Sequence, residues 1–131
     1  MIQSLSIDSW NGNIDIGETY DNPSWELILA SIARLNGKRH TLVSLNMKDD
    51  SYMLIGGGES GKYIVTTSFN NVSFYNLVFG SMGCEPIQLV VGGQLGDYPQ
   101  KMCVDFDTMS LAVKTYALEG KIDNSLVWEL D

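Results

Sequence analysis

Between Thr41 and Val91 the chain repeats one pattern: a short apolar or β-branched run, then a turn rich in Gly, Asn or Asp. In Thr41 to Met47, Val43, Leu45 and Met47 share one face of an extended chain, with Ser44 and Asn46 on the other. Lys48-Asp49-Asp50 turns the chain into Ser51 to Ile55, and the loop from Gly56 to Gly61 leads to Lys62 to Ser68. Asn70-Asn71 separates that run from Val72 to Val78, and Ser81-Met82-Gly83 precedes Ile87 to Val91. The spacing predicts a hairpin or meander. Ile87 to Val91 is apolar apart from Gln88, a near-continuous run which predicts a strand buried on both faces near the sheet centre. It stops at Gly92-Gly93, and the stretch through Asp97-Tyr98-Pro99 reads as a turn.

The flanking segments supply two helices and more strand. Ile2 to Asp8 predicts a first strand, ended by Trp10-Asn11-Gly12-Asn13, with a short second piece at Ile14 to Ile16. Asn22 is placed to cap a helix with Pro23 at its first position, and Trp25, Ile28, Leu29 and Ile32 form its apolar stripe. Asn36-Gly37 ends it. Lys101 to Phe106 predicts another short strand. Asp107 then caps a second helix with an inner stripe of Met109, Ala112, Val113 and Tyr116 and Gly120 at its exit. An apolar strand of Leu126, Val127, Trp128 and Leu130 closes the chain. The expected fold is one α+β domain over residues 1–131, with a mostly antiparallel central sheet and both helices on one side.

With 131 residues, 44% of them hydrophobic, the chain can fill a core without disulfide or metal support. Its longest apolar stretches fall far short of the ~20 residues that cross a bilayer. Met1 to Ser6 lacks the regions of a secretory signal, so a cytoplasmic protein is expected. Cys84 and Cys103 are too far apart for a Cys-x-x-Cys motif and are expected to be reduced, mostly buried thiols. Sixteen acidic residues against eight basic ones give a net charge of −8. That excess repels nucleic acid and anionic membranes and attracts basic partners. It also sets aside the Gly92-Gly93-Gln94 likeness to the tip of peptide-release factors, which must approach ribosomal RNA.

Catalytic motifs fail one at a time. Gly56-Gly57-Gly58-Glu59-Ser60-Gly61-Lys62 has the glycine and lysine spacing of a phosphate-binding loop, but Tyr63 stands where Ser or Thr should meet magnesium. The segment after it also reads as a strand, whereas the motif needs a helix N-terminus. Gly58-Glu59-Ser60-Gly61-Lys62 puts lysine where a nucleophile elbow needs glycine. His40 is the only histidine and sits beside Lys38 and Arg39, which predicts an exposed strand end with no partner for general-base work. The His-x-Glu and Pro-Cys-x-x-Cys of a zinc deaminase are missing. Asp105 and Asp107 share a strand face by spacing, yet read more simply as a solvated edge and a helix cap. No catalytic residue, cofactor or metal ligand is expected.

Binding is what remains. Trp25 is expected in the core at the head of its helix stripe, and core is also favoured for Trp128. Tyr98, beside Asp97, reads as an exposed aromatic anchor for a basic partner.

Several landmarks come in a recognisable order: Pro23-Ser24-Trp25-Glu26, Leu54-Ile55-Gly56-Gly57-Gly58, Val90-Val91-Gly92-Gly93-Gln94 with Asp97-Tyr98-Pro99, and Val127-Trp128-Glu129-Leu130. In these the chain resembles immunity protein family one of bacterial polymorphic toxin and contact-dependent inhibition systems. The resemblance implies a small α+β protein made beside a toxin gene, protecting its producer by binding the toxin, often a nucleic-acid deaminase. The expected partner is a basic cognate toxin domain, a deaminase or nuclease. The toxin-binding residues expected from the acidic loops are Asp49, Asp50, Glu59 and Asp97, with Tyr98 as anchor. The alternative is a small-ligand or nucleotide-binding module built on the Gly56 to Lys62 loop.

Overall fold

Four strands pair in chain order, each antiparallel to the next: β5 (Leu42–Asn46), β6 (Tyr52–Gly57), β7 (Tyr63–Phe69) and β8 (Ser73–Val78). This meander, in a computed structural model that describes residues 1–80 and 83–131, is the centre of a seven-stranded antiparallel sheet. Beyond β5 lie β1 (Ser4–Ile7) and the edge strand β4 (Glu18–Asp21); beyond β8 lies the other edge, β11 (Val127–Leu130). Short strands β2 (Trp10–Asn11) and β3 (Ile14–Asp15) form a separate hairpin between β1 and β4. Ser81 and Met82, read from sequence as part of a turn, lie outside the described residues.

Alternation along the strands decides which face is buried. Leu5, Ile7, Val43, Leu45, Met53, Ile55, Val65 and Leu77 join one core with residues from both helices, α1 (Trp25–Ala33) and α2 (Phe106–Glu119). The α2 stripe of Met109, Ala112, Val113 and Tyr116 is fully buried, as its spacing predicts. Each large side chain removed from water there contributes roughly 1.5–3 kcal/mol. Tyr116 meets Phe69 edge-on with centroids 6.2 Å apart, and burial pushes its phenol up to about 12. Trp25 and Trp128 are partly buried against this core, and the Trp128 Nε1–H donates to the Asp123 carbonyl at 3.0 Å. The fold is α+β, with both helices on one side of the sheet.

Several local expectations are corrected. Helix α1 is capped by Ser24, whose hydroxyl accepts from the Leu27 N–H at 3.1 Å. Pro23 disfavours helical backbone at Asn22, which sits at φ +48, so the cap falls after the proline. The helix runs only to Ala33, before Asn36-Gly37, and Leu29 of its stripe is exposed. Asp105 caps α2 in place of Asp107, because the chain stays extended through Asp105 and its carboxylate reaches the Thr108 N–H at 2.8 Å. Residues 101–106 form no ladder. A short 3₁₀ turn at Gln100–Met102 is followed by Val104, which alone bridges to Tyr63 as the chain runs on into α2.

The Thr108 hydrogen bonds hold the Asp105 carboxyl below the usual carboxylate range. A pKa lowered by folding adds stability above the unfolded value, about 3.9, and that stability is lost as pH falls through the folded value. Asp105→Ala is therefore expected to cost about 1 kcal/mol at pH 7, on the scale of lost N-caps. Urea titrations should show the gap between wild type and variant closing below about pH 4.

The largest correction concerns Ile87 to Val91. It forms β9 (Ile87–Val91), outside the central sheet, and pairs with β10 (Gln94–Tyr98) in a two-stranded hairpin. Gly92 and Gly93 take φ +61 and +77, the pair of positive values that a tight two-residue hairpin turn requires. Asp97 and Tyr98 thus belong to a strand, not a turn. The hairpin lies on the sheet face opposite the helices, where Leu89, Ile87, Val91 and Tyr98 pack around Ile64 and Cys103. Val91 fits over Gly56 so closely that a Cβ there would stand 2.6 Å from Val91 Cγ1. The apolar residues of the run reflect this cover, with Leu89 buried, Ile87, Val90 and Val91 half-buried and Gln88 exposed. Cys103 is buried as expected, while Cys84 is exposed, and both are free thiols.

Candidate functional site

The deepest polar cluster centres on Asp8. One carboxylate oxygen accepts from the Thr41 N–H at 2.6 Å and the Leu42 N–H at 3.0 Å. The other accepts from Trp10 Nε1–H at 2.7 Å and from the Thr41 hydroxyl. That hydroxyl in turn accepts from the Gly93 N–H at 3.0 Å, so the cluster ties the β9–β10 turn to the end of β1. His40 belongs to the same cluster. It is buried, not at an exposed strand end, because its Nδ1–H donates to the Asp8 carbonyl at 2.7 Å. Its Nε2 faces Arg34 at 3.4 Å.

Beside Asp8 opens a cleft of about 370 Å³ lined by Ser6, Asp8, Asp15, Glu18, Thr19 and Ser44, among others. Its carboxylates carry structural bonds. Asp15 Oδ1 accepts from the N–H groups of Ser9 and Gly17, both at 2.8 Å, and Glu18 accepts from the Tyr20 hydroxyl. Among the described residues no three His, Cys, Asp or Glu side chains are placed to share a metal ion. No helix of the described residues is long and apolar enough to cross a membrane.

The sequence-chosen residues are scattered. Asp49 and Asp50 lie in the β5–β6 turn, while Glu59 lies in the β6–β7 loop at the other end of β6. Six residues of extended chain separate those ends, roughly 20 Å. Asp97 is exposed on β10, and Tyr98 packs half-buried onto the Ile64 cluster, where burial pushes its phenol up. The structure therefore brings Asp97 and Tyr98 together by adjacency alone and joins neither to the Asp49-Asp50 turn.

The Gly56 to Lys62 loop folds inward on itself. The N–H of Gly57 donates to Thr41, that of Gly58 to Lys62, that of Gly61 to Gly58 and that of Lys62 to Glu59. Those four donors already meet backbone carbonyls, and Tyr63 begins a strand. A phosphate cradle needs such donors pointing outward at the head of a helix.

Sequence reasoning passed over the sheet face that the helices leave bare. Strand registers align Thr19, Ser6, Ser44, Leu54, Thr66, Asn76 and Glu129 in one row across all seven strands. A second row runs Asp21, Ser4, Asn46, Tyr52, Ser68 and Phe74. Ser6 and Thr19 share a hydrogen bond of 3.1 Å, and the Thr66 hydroxyl donates to Asn76 Oδ1 at 2.8 Å. The signal was present in Ser44 and Asn46 alternating with Val43 and Leu45, but only pairing shows that polar positions on different strands line up.

No family model, curated protein or solved structure matches the chain.

Proposed function

We propose that this chain binds and neutralises a cognate bacterial toxin domain with a basic surface, one that acts on nucleic acid as a deaminase or nuclease. The carrying observation is the uncompensated charge of the folded surface. Of the sixteen acidic residues, Asp8 alone is buried and Asp123 half-buried; the others are exposed. Against them stand two ion pairs among the described residues, Lys101–Glu129 at 2.9 Å and Lys121–Glu119 at 3.5 Å. Both are half-exposed, and such pairs neutralise little of the field. A domain that grips nucleic acid presents a cationic groove, and a negative protein surface competes for it by the same attraction. The order of the sequence landmarks from Trp25 to Trp128 supports the same reading.

Electrostatic docking of this kind has a kinetic signature. The association rate with the cognate toxin domain is expected to fall at least about tenfold between 50 and 500 mM salt, with dissociation changing less. Stopped-flow fluorescence of the protein's tryptophans would read it. A rate indifferent to salt would contradict charge-led binding.

A further inference from the structure

We propose that the part of the bare sheet face left open by the β9–β10 hairpin is the surface that receives the toxin, and that it takes a flat cationic patch whose lysine and arginine side chains donate to its oxygens. This rests on the neutralising reading above and adds the place and the chemistry of contact.

The two cross-sheet rows contain no lysine or arginine. They consist of hydroxyls, amides and three large side chains, Tyr52, Leu54 and Phe74, nearly all half-exposed. Carboxylates stand at their ends: Asp21 on β4 and Glu129 on β11, with Asp131 bonded through its N–H to the Phe74 carbonyl at 2.8 Å. Asp49 and Asp50 border the second row in the turn beyond Asn46 and Tyr52, against one cation, Lys48. Lys101 offsets only Glu129. At about 4.8 Å per strand the first row spans roughly 30 Å, the width of a standard protein interface.

Ser68 distinguishes this face from an ordinary solvated one. Its side chain is fully buried, and its hydroxyl has no hydrogen-bond partner among the described residues. A buried, unpaired hydroxyl costs stability unless something arrives to satisfy it. Its cross-strand neighbours on that face are Tyr52 on one side and Phe74 on the other. A lysine or arginine laid across those rings gains cation–π attraction, and it meets the Ser68 hydroxyl when the rings part to admit it. Charge at the rim, polar acceptors within and an aromatic pair around an unmet hydroxyl all select the same partner.

The test uses the full chain and a candidate toxin domain from a neighbouring gene, with binding followed by calorimetry. Ser44→Arg and Thr66→Arg place a cation at the centre of the first row and are expected to weaken binding about 100-fold or more. Leu118→Arg on the exposed flank of α2 should stay within about threefold of wild type. Circular dichroism and melting curves establish that each variant is folded. Amide chemical shifts of the unmutated protein give a second reading, with the largest changes expected at Ser44, Thr66, Ser68 and Asn76. Wild-type binding with both row variants intact, or shifts concentrated on α1 and α2, overturns the face and leaves neutralisation standing. No binding by the wild type overturns both.

Discussion

Asp8→Ala is expected to remove roughly 3–5 kcal/mol of folding stability, since each buried donor left unsatisfied costs about 1–3 kcal/mol. The residue is 7% exposed, and its carboxylate accepts from two backbone N–H groups, the Trp10 indole and the Thr41 hydroxyl. Alanine leaves Thr41 N–H and Leu42 N–H facing a void. Asp8→Asn is a milder probe of the same idea. Its oxygen can still serve the two backbone donors, while its NH₂ would face the indole N–H and the Thr41 hydroxyl, donor against donor. A loss intermediate between wild type and alanine is expected. Urea unfolding at pH 7 should show a lower midpoint with an unchanged slope. A loss under about 1 kcal/mol for Asp8→Ala would mean that these donors find other partners, and that the cluster does not anchor the β9–β10 turn.

Gly58→Ala is the second large effect, expected at roughly 3 kcal/mol or more. Gly58 has φ +108, a conformation that side-chain-bearing residues rarely hold. A Cβ there would sit 2.5 Å from the Leu35 carbonyl carbon and 2.6 Å from its oxygen. Those are backbone atoms at the exit of α1, so no rotamer change relieves the clash. Gly61, three residues on, has φ +69 and open space around its Cβ position. Gly61→Ala should therefore cost only the conformational penalty, about 1–2 kcal/mol. Thermal unfolding of the two variants separates steric from conformational cost within one loop. Equal losses would show that the packing of this loop against Leu35 contributes nothing.

That contrast also marks where sequence reasoning ends. The loop's glycines look alike in the sequence, and their shared spacing suggested a phosphate site. Their difference lies in what comes to rest against them, Leu35 at Gly58 and solvent at Gly61. Patterns that act along one element were legible: Val43, Leu45 and Met47 against Ser44 and Asn46, the α2 stripe, and the docking of β11 at the sheet edge. Patterns that depend on partners were not. Ile87 to Val91 has the composition of a central strand, and its partner β10 carries Gly96 and Asp97 and no β-branched residue, so the Gly92-Gly93 hairpin signal has no strand-like second half beside it. His40 looked exposed among cationic neighbours, although its burial is decided by Asp8, far away in the chain. The acidic loops stand apart in the sequence, and β6 holds two of them at opposite ends. The bare face escaped notice for the same reason, since strand registers alone assemble its rows.

Neutralisation differs from mere binding in its effect on the activity of the bound partner. The direct measurement is the nucleic-acid-modifying activity of a candidate toxin domain from a neighbouring gene, titrated with the purified protein at low salt. Neutralisation should give a linear loss of activity that ends at one equivalent, with a one-to-one complex at the end point. Full activity at a several-fold excess of folded protein would contradict it.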